Sequence, residues 1–163
     1  MRALVIAAGT THLRLANSEF SRRKFENTRE DMEKEIGKVR LYGMRIVFFL
    51  TFIGLAPNTW QELLSPDKTW DPFYGVAVSF WAALSVLAVV GMLYPIKMLP
   101  LLLLQMFYKL IWLLGVGYPL WQEGLLIGAA EGLAFANGVG VILDILVIPW
   151  FFIASKYFYK PVW

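Results

Sequence analysis

This chain of 163 residues has no cysteine and a single histidine, His12. The first absence excludes disulfides, thiolate metal sites, iron–sulfur clusters and a cysteine nucleophile. The second leaves no pair of intramembrane imidazoles to hold a haem, and removes the usual ligand of chlorophyll-type pigments. No Asp, Glu or His cluster has metal-ligand spacing, so no metal or other cofactor is expected. Ser79, Ser85 and Ser155 have no base nearby in sequence, which leaves an intramembrane serine hydrolase without support. No GxxxG glycine pair lies within one expected membrane span. Charge is scarce as well: Asp, Glu, Lys and Arg make up 17% of the chain and crowd into its first third. The net charge of +3 hints at nucleic acid only until those charges are placed along the chain, and no nucleic-acid partner is expected.

What fills the space is apolar. Hydrophobic residues reach 58%, against roughly 45–50% in ordinary soluble domains. They gather in four long stretches centred near Phe48, Leu84, Met106 and Leu146. A helix needs roughly 20 such residues to cross the hydrocarbon core. The expected fold is therefore all-α: a polytopic membrane protein with four transmembrane helices and a polar helical amino-terminal segment. The domain boundary is expected at 1–40 and 41–163, with spans over about 41–60, 73–93, 100–121 and 138–157.

The apolar run Ala3–Gly9 is short and closed by Thr10, Thr11 and His12, so no cleaved signal is expected. Thr28 followed by Asp31 fits a capping box, and Glu30 stands one turn from Lys34. Phe25, Met32, Ile36 and Val39 form a narrow apolar stripe. Arg22, Arg23 and Lys24 could lie against anionic head groups. They could equally be part of a solvated helix that serves only as a topology signal, since six acids intersperse the basic residues.

Within the spans, Arg45 is placed to snorkel to the interface. Phe73 and Tyr74 suit an aromatic belt, Pro100 fits a first helical turn, and Pro149 predicts a bend in the fourth span. Orientation follows from the basic residues: nine Lys and Arg precede Leu41, Lys97 marks the turn at 94–99, and Lys156 and Lys160 mark the tail. The two opposite loops, 61–72 and 122–137, carry only Lys68. The positive-inside rule then places both termini in the cytoplasm. Gly124–Asn137 is apolar for an external loop and is expected as an interfacial or re-entrant helix.

Lys109 and Asp144 lie at membrane depth, where an unpaired charge costs about 2.5–3.5 kcal/mol. Counted from the expected span ends, their backbones differ by about 8 Å in depth, which a lysine can bridge. They read as a structural ion pair that fixes helix register, as a relay or substrate-binding group with Gln105, or as separate snorkelling side chains. No other acid or histidine continues a relay inside the membrane region.

Tyr94, Pro95, Lys97, Met98, Leu99 and Pro100, followed by Tyr108, Lys109 and Trp112, resemble a segment of small four-helix bacterial membrane proteins of uncharacterised function. Asp144, Pro149, Trp150, Lys160 and Trp163 are similar to the end of the same group. This resemblance covers the carboxyl-terminal part only. It implies a bacterial inner-membrane protein, and none of its motifs carries an assigned chemistry. The expected partners are the lipid bilayer and other membrane-protein subunits. Two function classes follow: a non-catalytic accessory, assembly or structural subunit of a membrane complex, or a small transporter or ion-coupled permease using Asp144 and Lys109.

Overall fold

A computed structural model describes residues 19–20, 23–24, 27, 36–65 and 69–155. The chain divides into two compact units, Met1–Lys38 and Val39–Trp163. In the first, Glu19, Phe20, Arg23, Lys24 and Asn27 are helical. Arg23 and Glu19 stand one turn apart, 3.9 Å between charged atoms, both well exposed. Such a surface pair contributes little. The capping box at Thr28 and Asp31 and the Glu30/Lys34 pair lie outside the described residues.

The second unit is helical, with no strand among the described residues. Its elements are α1 (Lys38–Leu63), α2 (Pro72–Leu93), α3 (Leu99–Trp112), a π-helical turn (Leu113–Gly117), α4 (Tyr118–Gln122), α5 (Ala129–Val147) and α6 (Trp150–Ile153). Four helical stretches are long and apolar enough to span a membrane: Lys38–Leu63, Pro72–Leu93, Leu99–Gln122 and Ala129–Val147. The chain is an integral membrane protein of four transmembrane helices. Up-and-down connectivity puts Lys38, Leu93, Leu99 and Val147 toward one face, here the near side. Leu63, Pro72, Gln122 and Ala129 mark the far side.

Local chemistry sets the ends. Asp71 caps α2 by accepting from the Tyr74 backbone N–H at 2.7 Å. Pro72 follows in the first turn, where a missing N–H has no cost. Asp71→Ala should lower unfolding free energy by about 1 kcal/mol, read from reversible unfolding in mixed micelles; an unchanged value would show the cap to be idle.

The fourth span differs from its expected bounds. Gly128, at φ 59°, turns the chain and α5 starts at Ala129, not near residue 138. The apolar residues 129–137 are thus the far half of a spanning helix, not a separate interfacial or re-entrant one. Glu131 and Asn137 give that stretch a loop-like look, yet both lie within the helix. Pro149 ends the span rather than bending it. It forces Ile148 into extended backbone (ψ 123°), and among the described residues the short α6 follows.

The core between α1 and α2 is built on Phe48, fully buried against the bare backbone of Gly91. Trp60 Nε1 donates to Ser85 Oγ at 3.1 Å, and Tyr74 OH donates to the Glu62 carboxylate at 3.0 Å. On the near side, a Val147 methyl seats against Gly43 and brings α5 to α1. Toward the far side α1 and α5 part. Phe49, Ile53, Phe107, Ile111, Ile142 and Leu146 point outward, as a lipid-facing surface requires.

Candidate functional site

Gln105 and Lys109 are one turn apart on α3, so both face the same way. On α5, Asn137, Gly140 and Asp144 follow at spacings of three and four, which also makes one face. Those two faces meet. Lys109 Nζ donates to Asp144 Oδ2 at 2.9 Å, and Gln105 Nε2 donates to Asp144 Oδ1. The other end of the Gln105 amide, Oε1, accepts from Thr51 Oγ1 of α1 at 3.0 Å; the same hydroxyl lies 2.9 Å from the Val47 carbonyl oxygen. Three spanning helices are joined by one polar chain that ends on a carboxylate. Asp144 and Gln105 are fully buried, and Lys109 is 7% exposed.

The shifted α5 reverses the depth order of the pair expected from the sequence. Asp144 lies fifteen residues from Ala129, about 22 Å below the far side, and Lys109 about 15 Å above the near side. In a core of about 30 Å this puts the Asp144 backbone about 7 Å closer to the near side than that of Lys109, a gap the lysine stem spans.

Gly140 was visible in the sequence only as a small residue. Its role is steric: a Cβ there would lie 2.7 Å from Lys109 Nζ and 3.0 Å from Cε. The lysine stem crosses the helix at that point to reach Asp144, one turn on. A glycine one turn before a membrane acid was the available signal.

In front of the pair lies a cavity of about 680 Å³. Thr51, Asn58 and Glu62 of α1 and Leu133 and Asn137 of α5 line it, and Lys109 lies in its inner part with Val47 and Leu143. Trp81, Tyr108 and Trp112 supply flat aromatic surface. Two of these rings are held in place: Tyr108 meets Phe80 edge-on at 5.7 Å between centroids, and Trp112 sits against Gly117, whose missing Cβ would come within 3.1 Å of its ring. Because Glu62, Tyr74 and Ala129 also line the space, it extends to the far-side helix ends. Asp144 and Gln105 are not part of the lining, so an occupant meets an ammonium whose counter-ion stands behind it.

Of the other expected site residues, Arg45 and Lys97 do not line this cavity. The Arg45 guanidinium carbon is 5.6 Å from the Tyr42 ring centroid, and its Nε is buried with no hydrogen-bond partner among the described residues. Lys97 Nζ lies 5.5 Å from the Tyr94 ring centroid, within cation–π range. Arg23 and Lys24 are exposed in the first unit. Arg22 lies outside the described residues. Compared with known proteins, the chain matches no family model, no curated protein and no solved structure.

Proposed function

We propose that this membrane protein binds a small molecule within the bilayer and acts as a small carrier or permease, the second of the two classes expected from the sequence. The supporting observation is the cavity that runs from the far-side helix ends to the Lys109 ammonium. Its volume falls in the roughly 300–1,000 Å³ range of ligand sites. Both carboxylate oxygens of Asp144 are occupied, which favours a fixed counter-ion that positions Lys109 over a group that hands protons onward. The accessory-subunit class draws support from the apolar outer faces, but lipid covers such faces equally well.

In this reading the near side is cytoplasmic and the membrane is a bacterial inner membrane. The support is the excess of Lys and Arg before Leu41, at Lys97 and in the tail.

The lack of cysteine makes single-cysteine variants clean reporters. Asn137 lies eight residues, about 12 Å, inside the far side. Asn137→Cys in sealed vesicles should react with a membrane-impermeant methanethiosulfonate cation added from the far side, within about tenfold of the rate at exposed Gln122→Cys, as an aqueous vestibule requires. Ile142→Cys, facing lipid, should stay unmodified. Equal protection of Asn137→Cys and Ile142→Cys would remove the proposal. Modification from the cytoplasmic side alone would reverse the orientation.

A further inference from the structure

The inner end of the cavity has a definite charge balance. Lys109 offers three N–H donors; among the described residues, one is engaged by Asp144, and the ammonium borders the open space. The pair sums to zero, and no other charged residue lines the cavity at that depth, since Glu62 stands at the far-side rim beside Tyr74. A second anion at the ammonium would leave one negative charge uncompensated in the middle of the bilayer, where unpaired charge is strongly disfavoured. A cation would meet the ammonium head-on. An uncharged acceptor meets neither obstacle and satisfies a donor that otherwise faces the cavity.

The remaining lining is apolar and flat. Trp81, Tyr108 and Trp112 present ring surface along the passage to Lys109. Asn137 adds one amide to the wall, and its side chain makes no hydrogen bond to the described residues. We infer that the cavity takes an uncharged, largely apolar ring compound carrying a carbonyl, whose oxygen accepts from Lys109 Nζ while its body stacks on the aromatic wall. This rests on the carrier reading above and adds the ligand class to it.

A matched pair of probes tests the class. 2-Acetylnaphthalene and 2-naphthoate share a ring system and differ in a neutral ketone against a carboxylate. Equilibrium dialysis of each against the full chain in phosphatidylcholine nanodiscs, with empty nanodiscs subtracted, isolates saturable binding. The ketone should bind at one site per chain, at least about tenfold more tightly than the carboxylate. The double variant Lys109→Met/Asp144→Asn keeps the pair neutral and should weaken ketone binding about tenfold, with retained helicity and monodispersity checked first.

Gly140→Ala, which pushes on the ammonium without removing it, should also weaken the ketone. Undiminished ketone binding in both variants would overturn the contact with Lys109. Tighter binding of the carboxylate would overturn the ligand class and leave a binding cavity in place. Absence of saturable binding by either probe, with Asn137→Cys still labelled, would again defeat the class alone. If Asn137→Cys is protected as well, the carrier reading falls with it.

Discussion

Lys109→Met should destabilise the protein by about 3–5 kcal/mol, the usual cost of stranding one member of a buried ion pair. The cause is what the substitution leaves behind. Asp144 has no exposed surface, and its remaining neutral partner is the Gln105 amide. Asp144→Asn should cost less, because the ammonium it leaves borders the cavity and water can hydrate it there. The pair therefore predicts an asymmetry as well as a loss. Lys109→Met/Asp144→Asn should recover much of the stability lost in Lys109→Met, since neither charge remains, and residues in direct contact do not act additively. Unfolding in dodecyl sulfate mixed micelles, followed by tryptophan fluorescence, measures all three. A Lys109→Met protein as stable as the parent would show that the carboxylate is not an uncompensated charge in the fold.

Gly91→Ala is the second substitution with a large expected effect, and its cause is purely steric. A Cβ at that position would fall 2.6 Å from three atoms of the Phe48 ring. The ring is fully buried and offers a flat face, not a flexible tip, so it can yield only by tilting into its neighbours. Overpacking of this kind costs about 1–3 kcal/mol. Phe48→Leu in the Gly91→Ala background should return part of the loss, because the smaller side chain vacates the space the methyl needs. The four-protein cycle gives the coupling directly, and additivity between the two substitutions would refute the packing account. Helix pairing in lipid has no solvent-driven term to draw on, so close fits of this sort carry much of the association.

Much of the architecture was legible because the bilayer imposes two strict demands, length and apolarity, on every span. The stretches around Phe48, Leu84 and Met106 meet both with polar breaks on either side. The fourth is harder because its far half contains Gly132, Asn137 and Gly138, which look like punctuation, and because Glu131 stands near its start. Only the backbone settles which glycines turn the chain: Gly124 and Gly128, both at positive φ, with α5 starting directly after the second. The charged centre was legible for a related reason: an acid and a lysine at membrane depth must find partners, and Gln105 stands one turn from Lys109. Thr51 carried no such signal, since a threonine in a span commonly bonds its own helix, as it also does here through the Val47 carbonyl. The cavity was beyond the sequence altogether. It arises where α1 and α5 separate after meeting at Gly43 and Val147, and a gap between helices has no residue of its own.

The π-helical turn at Leu113–Gly117 has a consequence for how chain length can vary. One residue added to or taken from a helix rotates everything beyond it by about 100°, and a widened turn is where such a residue can be accommodated. Lys109 and Gln105 lie before that turn; the Tyr118 and Trp121 rings, 6.0 Å apart, lie after it. A single-residue deletion at Gly115 would thus relax the turn to an ordinary α-helix, keeping Tyr118 and Trp121 close to their present phase and the charged centre untouched. The two halves of the third span can, in this sense, keep their faces while the number of residues between them changes by one.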